Sequence, residues 1–218
     1  MTVTLSDKPG RTPRPRGRPK ADDVAALEAR LIQVASELFF RNGYGATAMN
    51  AVAAEARVSK TTLWARFPSK ADLFRAIVHE QVQRWGSGVN RPPTPRFDTL
   101  EETLYAYGDV ILYAGMEPEF IQLNRLIYSE SERFPELAEV TAGRFELGVR
   151  HVAKHIEAFA ERDGVPCRDA TRAGEFFLVA LTGWANMHVL SNRQITPEER
   201  GAWLRNTVRM FMGGRSSW

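Results

Sequence analysis

Apolar side chains recur every three to four residues along most of this chain, which is the spacing of one face of an α-helix. The first such stripe lies between Asp22 and Gly43, so it predicts a helix with acidic residues at its start and a left-handed glycine at its end. Pro118 and Pro135 suit the first turns of later helices. From Phe97 onward the spacing continues without the alternation of strands. The pattern therefore predicts an all-α fold of about nine helices.

Residues 47–67 predict two short helices separated by a tight turn, a helix-turn-helix. Thr47 is expected to cap the first helix, because its hydroxyl can accept a hydrogen bond from a free backbone N–H group, and Ser59 is expected to cap the second. Arg57 and Val58 form the predicted turn. Small or apolar side chains on the inward faces let the two helices cross closely, and these are Ala53, Ala54, Ala56, Leu63 and Phe67.

The outward face of the second short helix carries cations, hydroxyls and an aromatic ring. A helix that enters the major groove of DNA needs such groups for phosphates and base edges. An ordinary pair of surface helices is the alternative interpretation. The candidate DNA contacts of this region and its surroundings are Thr47, Asn50, Ser59, Lys60, Thr61, Thr62, Trp64, Arg66 and Lys70.

A basic arm precedes these helices. Residues 1–21 are rich in Pro, Gly and Arg and lack hydrophobic periodicity, so the arm is expected to be disordered on its own. Its P-R-G-R-P segment resembles an AT-hook core, in which Arg16 and Arg18 would enter the narrow minor groove of A·T-rich DNA. A solubilising tail with nonspecific attraction to phosphate is the alternative.

The charge distribution favours the N-terminal part as the partner of a polyanion. Residues 1–85 contain 14 Lys and Arg against 8 Asp and Glu, whereas residues 86–218 contain 15 against 18. The chain has no apolar run long enough to span a membrane and no secretory signal. The single Cys167 fits a reducing compartment. These features predict a cytoplasmic protein that does not bind a membrane.

Residues 26–78 resemble the DNA-binding domain of the TetR/AcrR family of bacterial transcriptional regulators. The matching segments are L-I-Q-V-A-S-E-L-F-F-R-N-G-Y-G-A-T-A-M, V-A-A-E-A-R-V-S-K-T-T-L-W-A-R-F and S-K-A-D-L-F-R-A-I-V. Arg57 replaces the glycine that the family usually has before the Val-Ser of the turn, and a left-handed conformation there would strain it by roughly 1 kcal/mol. Trp64 and Arg66 replace the usual Tyr and His of the recognition helix, and Ala48 replaces a frequent hydroxyl residue.

The resemblance implies a three-helix DNA-binding head followed by a helical effector-binding and dimerisation body. We expect the head to span residues 22–85, with its fourth helix as connector, and the body to span residues 86–218, beginning at the linker G-S-G-V-N-R-P-P-T-P. The implied function is sequence-specific transcriptional regulation by a homodimer. Such a protein would be a repressor, released from a palindromic double-stranded operator by a small, largely apolar effector, with no cofactor and no metal.

TetR-family bodies commonly enclose an apolar cavity. The candidate effector contacts here are Trp85, Tyr105, Met116, Phe120, Leu123, Tyr128, Phe145, His151, Phe177, Trp184 and His188, and plain core packing is the alternative for each of them. The last two helices are apolar over broad faces and resemble the family's dimer interface, a four-helix bundle around a two-fold axis. The candidate interface residues are Phe176, Leu181, Trp203, Val208 and Phe211.

Two alternatives to an effector-released repressor remain open at this point. One is an architectural or constitutively bound DNA-binding protein without an effector. The other is a metal-responsive regulator, since His151 and His155 lie four residues apart on one helix, although a third ligand at diagnostic spacing is missing. An enzyme is not expected, because the sequence contains no G-x-S-x-G segment, phosphate-binding loop or Rossmann fingerprint.

Overall fold

The computed structural model describes residues 21–86 and 97–218, which contain nine α-helices, a short 3-10 helix and no strand. The prediction of an all-α fold is confirmed. The helices are α1 (Ala21–Asn42), α2 (Met49–Glu55), α3 (Lys60–Arg66), α4 (Lys70–Gly86), α5 (Leu100–Ala114), α6 (Pro118–Glu130), α7 (Pro135–Asp163), α8 (Ala170–Leu190) and α9 (Pro197–Gly213).

Local capping chemistry explains several of the helix ends. The Thr196 hydroxyl accepts a hydrogen bond from the Glu199 amide at 3.2 Å, and the Glu199 carboxylate accepts one from the Thr196 amide at 3.0 Å, so the two residues form a capping box at the start of α9. Gly43 after α1 has a φ of 87° and Gly164 after α7 has a φ of 66°. Both helices thus end at a residue whose left-handed conformation favours glycine.

Two hydrophobic cores organise the described residues. The head core joins α1 to α4 and also takes in Leu123, Leu126 and Ile127 of α6 and Leu137 of α7. The body core is formed by α5, α7, α8 and α9, with Phe177 and Leu181 fully buried within it. The division at residue 86 stays a prediction, but the head core clearly draws on helices that follow it in sequence.

A close approach between α7 and α8 holds the body together. At Gly174 of α8, an added Cβ atom would lie 3.1 Å from the carbonyl oxygen of Val149 and 3.3 Å from the amide nitrogen of Ala153. The missing side chain therefore lets the two helix backbones pack closely. Among the described helices, none is both long and apolar enough to cross a membrane.

Candidate DNA-binding interface and its link to the body

The start of α3 is fixed by its own residues. The Ser59 hydroxyl accepts a hydrogen bond from the Thr62 amide at 3.0 Å, so the prediction that Ser59 caps this helix is confirmed. The hydroxyls of Ser59 and Thr62 are also 2.7 Å apart and share a hydrogen bond. Leu63 is fully buried and Phe67 is 4 % exposed, so both residues anchor α3 in the head core as predicted.

The other face of α3 is open to solvent. Lys60 and Thr61 are exposed at the N-terminal end of the helix, and the Trp64 ring is 44 % exposed one turn later. Arg66 lies at the C-terminal end and forms a 3.9 Å ion pair with Glu28 of α1. Most of the predicted contacts of α3 are therefore accessible to solvent, as is Asn50 of α2, whereas Thr62 is half-buried.

Thr47 does not have the predicted role. Ala48 is the N-cap of α2 and makes no side-chain cap bond, whereas Thr47 is 2 % exposed. The Thr47 hydroxyl donates towards the carbonyl oxygens of Gly43 at 2.8 Å and Leu38 at 3.2 Å. The prediction of an N-cap is therefore wrong, and a direct contact between this side chain and DNA is excluded by its burial.

Lys70 is also turned towards the protein. Its ammonium group donates to the carbonyl oxygens of Thr47 at 2.9 Å and Gly45 at 3.2 Å, and it lies 4.5 Å from the centre of the Tyr44 ring. Burial lowers the pKa of Lys70, while the nearby carboxylates of Glu130 and Glu136 oppose that shift. Lys70 thus supports the loop between α1 and α2 in this structure, and its predicted phosphate contact stays a prediction.

The turn between α2 and α3 contains a left-handed residue. Arg57 has a φ of 54°, the conformation for which the sequence predicted strain at a non-glycine position. The Val58 amide donates to the Ala53 carbonyl at 2.9 Å, so the turn is closed by the backbone. Arg57 thus occupies a left-handed position within the tight turn between α2 and α3.

A carboxylate from the body holds the loop between α1 and α2. Glu130, the last residue of α6, accepts hydrogen bonds from the backbone amides of Tyr44 at 2.6 Å and Gly45 at 2.7 Å, one on each oxygen. An added Cβ atom at Gly43 would lie 2.6 Å from one of these oxygens. We call this contact the Glu130 clamp. It ties α6 to the segment that leads directly into the helix-turn-helix.

Aromatic packing and further hydrogen bonds surround the Glu130 clamp. The Tyr44 hydroxyl donates to Glu136 of α7 at 2.9 Å, and its ring packs edge-on against Phe134 with ring centres 5.1 Å apart. Burial and the Glu136 carboxylate raise the pKa of Tyr44. At Gly45, an added Cβ atom would lie 2.9 Å from the Phe134 ring. The corner between α6 and α7 therefore fits this loop on both its polar and its apolar sides.

The predicted effector contacts do not lie on one surface. Phe177 is fully buried in the body core, Met116 and Phe145 pack against that core, and Tyr105 is 37 % exposed. Leu123 is fully buried in the head core, so its assignment to a cavity of the body is corrected.

Two of the predicted effector contacts, Trp184 and His188, form an aromatic cluster with Trp203. The rings of Trp184 and Trp203 stack with centres 5.3 Å apart, and the His188 ring lies 4.5 Å from that of Trp184. The Nδ1 atom of His188 is 2.7 Å from the Trp184 carbonyl oxygen. These contacts fix the rings against one another at the junction of α8 and α9.

Phe120 and Tyr128 lie beside a charged residue that the sequence analysis did not select. The guanidinium carbon of Arg144 on α7 lies 4.9 Å from the centre of the Phe120 ring. One nitrogen of this guanidinium, Nη1, is buried and has no hydrogen-bond partner among the described residues, and the same is true of Nδ2 of Asn124 and Oε1 of Gln81. Buried polar atoms are nearly always paired. Of these unpaired atoms, that of Gln81 lies on α4 of the head, whereas those of Asn124 and Arg144 lie in the body, as does the unpaired Nε of Arg200.

His151 and His155 lie together on α7. Their Nε2 atoms are 3.3 Å apart, and the His151 ring packs on Tyr107 with ring centres 4.8 Å apart. Burial lowers the pKa of both imidazoles. In the part of the chain that the structure describes, no group of three or more His, Cys, Asp or Glu residues is placed to hold a metal.

The predicted dimer residues divide by burial. Phe176 is 67 % and Trp203 is 36 % exposed, whereas Leu181, Val208 and Phe211 are at most 5 % exposed. The last three are corrected to core residues of a single chain, because their surfaces are already covered.

An exposed apolar stripe on α8 extends the predicted interface residue Phe176 to residues that were not among the candidate interface residues. The stripe begins at Phe176 and continues at helical spacing through Val179, Met187 and Leu190. On α9, Met210 is also exposed. A surface cavity of about 460 Å³ adjoins Phe176 and Met210. This continuous apolar surface is what we call the α8–α9 face.

Three predicted site residues fall outside the described part of the structure. Arg16 and Arg18 precede residue 21, and the side chain of Trp85 is not described although its backbone belongs to α4.

Glu130 was not among the predicted site residues, although its position carries a local signal of a binding partner. A carboxylate at the C-terminal end of a helix is disfavoured by the helix dipole, so its presence there indicates a specific partner.

Comparison with known proteins identifies the family to which this chain belongs. The family model for bacterial regulatory proteins of the tetR family matches residues 31–77, and the model for the C-terminal domain of AefR-like transcriptional repressors matches residues 102–214. The HTH-type transcriptional repressor SCO4008 of Streptomyces coelicolor is 28 % identical over 172 residues, which are 76 % of this chain and 81 % of that protein.

A second relative and a solved structure agree. The HTH-type transcriptional activator FasR of Mycolicibacterium smegmatis is 35 % identical over 85 residues, which are 38 % of this chain and 39 % of that protein. The structure of the flavonoid-responsive regulator FrrA has a TM-score of 0.72 and 28 % identity, covering 87 % of this chain and 97 % of that one. These proteins are transcriptional regulators and not enzymes. Since the AefR-like model alone spans more than half of the sequence, the chain belongs to the TetR family of bacterial transcriptional regulators.

Proposed function

We propose that this protein is a homodimeric repressor that binds a palindromic operator and leaves it when a small, largely apolar effector binds the body. The observation that carries the DNA-binding part is the exposed face of α3, where Lys60, Thr61 and Trp64 are accessible on a helix fixed by its Ser59 cap and buried Leu63. Such a rigid, polar helix face suits the major groove.

The α8–α9 face supports the dimer. Phe176, Met187, Leu190 and Met210 are each at least 60 % exposed, and a chain rarely leaves so many large apolar side chains uncovered on one surface. A two-fold pairing of this face would bury them and present two copies of α3. Two copies are needed because one recognition helix reads too few base pairs for a specific site.

Repression and an apolar effector are supported by the relatives. SCO4008 is a repressor and FrrA responds to flavonoids, which are flat aromatic compounds. FasR is an activator, but its match covers only 38 % of this chain. The aromatic side chains of the body, including Phe120 and Tyr128, are compatible with a ligand of the aromatic type.

The link between effector and operator runs through α6. Leu123, Leu126 and Ile127 of this helix are part of the head core, and its last residue forms the Glu130 clamp on the loop before α2. A ligand that shifts α6 would therefore displace the head without acting on α4 first. A change in head position alters the spacing of the two recognition helices and so the operator affinity.

The proposed function is tested by selecting bound fragments of genomic DNA with the full-length protein and footprinting the enriched site. We expect an inverted repeat protected on one face of the duplex, and a stoichiometry of two chains or a multiple of two. A protected site without two-fold symmetry, or binding of all fragments alike, would contradict a dimeric, sequence-specific regulator.

A further inference from the structure

Three buried hydrogen-bond donors of the body have no hydrogen-bond acceptor within the described residues, and two of them lie on α6 and α7; the third, Nε of Arg200 on α9, is 4.0 Å from the Asp109 carboxylate. Nη1 of Arg144 on α7 and Nδ2 of Asn124 on α6 are both shielded from solvent and unpartnered within the described residues. Asn124 is only 5 % exposed as a whole residue. Leaving a buried donor unpaired is destabilising, and more so when the group is charged. Two such donors on neighbouring helices are positions where an acceptor from a water or a ligand would be stabilised.

Helix geometry places the two donors at the same gap. Phe120, Asn124 and Tyr128 follow one another at intervals of four residues, so they lie along one face of α6. Arg144 approaches this face, since its guanidinium lies 4.9 Å from the Phe120 ring and interacts electrostatically with the Tyr128 phenol. Asn124 lies between those two rings. Both donors therefore lie near the junction of α6 and α7, which we call the α6–α7 gap.

The electrostatics of this gap favour an anion. Arg144 has no carboxylate within 4 Å among the described residues, whereas Arg150 on the exposed side of α7 pairs with Glu146 at 3.7 Å. Burial lowers the pKa of Arg144, yet a guanidinium remains charged at neutral pH. The gap thus contains a positive charge that the described part of the chain does not balance.

We propose that the effector is an aromatic anion whose carboxylate or comparable oxyanion is bound by Arg144 and Asn124, with its ring between Phe120 and Tyr128. This inference rests on the proposed effector function and adds the chemical class of the ligand. A planar oxyanion accepts two hydrogen bonds from a guanidinium, and aromatic rings pack favourably on one another. Tyr128 is 47 % exposed, so this end of the gap is accessible from solvent.

The position of the site also connects it to the head. Asn124 follows Leu123, which is fully buried in the head core, and six residues later α6 ends at the Glu130 clamp. An anion drawn towards Asn124 would act on the same short helix that holds the loop before α2. The site is therefore placed where ligand binding can change the position of the head.

The test uses two probes that share one ring system and differ in charge. These are 1-anilinonaphthalene-8-sulfonate, an aromatic anion, and N-phenyl-1-naphthylamine, its uncharged counterpart. We expect Arg144→Met to weaken binding of the anionic probe about tenfold or more, because a charge-assisted hydrogen bond is lost, while binding of the neutral probe changes less than about twofold. Arg150→Met removes an exposed arginine from the same helix and should change neither affinity.

A second variant keeps the test independent of any folding defect in Arg144→Met. Asn124→Asp has nearly the same shape and supplies Arg144 with an internal carboxylate, so it should exclude the anionic probe and raise the melting temperature. If the neutral probe binds but neither variant affects the anionic one, the inference is overturned and the proposed effector cavity stands. If neither probe binds the full-length protein, the effector function and the inference both fail.

Discussion

The buried polar groups around the loop between α1 and α2 differ in their hydrogen bonding from those at the junction of α6 and α7. Around the helix-turn-helix, the Thr47 hydroxyl, the Lys70 ammonium and the Glu130 carboxylate are each hydrogen-bonded to the backbone of the loop between α1 and α2. In the body, Arg144 and Asn124 keep donors without acceptors. The hydrogen bonds of Thr47, Lys70 and Glu130 hold the loop before the DNA-binding helices in one conformation. The unpaired donors of Arg144 and Asn124 can instead form hydrogen bonds with a ligand.

The largest effect is expected when the Glu130 clamp is removed. In Glu130→Ala, two backbone amides lose a charged acceptor, so the free energy of unfolding should fall by roughly 2–4 kcal/mol and operator affinity should fall with it. Urea unfolding and fluorescence anisotropy with operator DNA measure the two quantities. Glu132→Ala removes an exposed carboxylate nearby and should change stability by about 0.5 kcal/mol at most. Equal behaviour of the two variants would show that the clamp does not stabilise the head.

The exposed surface of α3 is tested by charge removal. Lys60→Ala should weaken operator binding by roughly 1–3 kcal/mol if Lys60 contacts a base edge, with little change in stability. Lys154→Ala is the matched control, because Lys154 is an equally exposed lysine on α7 of the body. Titration of both variants against the selected operator gives the comparison. Unchanged affinity in Lys60→Ala would contradict the assignment of α3 as the recognition helix.

The α8–α9 face is tested by placing a charge on its most exposed aromatic residue. Phe176→Asp should weaken dimerisation about tenfold or more, because burying an unpaired carboxylate in an apolar interface is costly. Leu147→Asp changes a similarly exposed residue on α7, 62 % against 67 %, and should leave the dimer intact. Sedimentation equilibrium distinguishes the outcomes. A monomeric Leu147→Asp together with a dimeric Phe176→Asp would move the interface to α7.

The smallest effect concerns the strained turn of the head. Arg57→Gly relieves a left-handed conformation and should raise the free energy of unfolding by about 1 kcal/mol. Arg57→Ala removes the same charged side chain but keeps the Cβ atom, so it should bring no such gain. Thermal unfolding of the two variants separates backbone strain from charge. Equal stability of both would mean that the turn is not strained.

Local sequence signals predicted the helices well. Ser59, Thr196, Gly43 and Gly164 act within a few residues of their own positions, so their roles can be read from neighbouring residues. Thr47 was misjudged because its partners are carbonyl oxygens at the end of α1, including Leu38 nine residues earlier. A residue type that favours caps does not reveal which backbone groups the fold brings within reach.

Contacts between distant segments could not be predicted in the same way. Glu130 is bonded to Tyr44, 86 residues away in sequence, and the residues around either position do not indicate this contact. Helices α8 and α9 are apolar on more than one face, so the sequence could not separate core residues such as Leu181 and Val208 from surface residues such as Met187 and Met210. Only the packing of the whole chain decides which apolar face stays exposed.

The fit of Gly43 and Gly45 to Glu130 and Phe134 limits how this regulator can be rebuilt into a biosensor. A chimaera cut between α4 and α5 would join a foreign head to the α6–α7 corner of this body. A side chain larger than hydrogen at Gly43 or Gly45 would have to displace the Glu130 carboxylate or the Phe134 ring, since an added Cβ atom comes within 2.6 Å and 2.9 Å of them. An exchange that transfers the loop and the corner as one matched unit avoids this displacement.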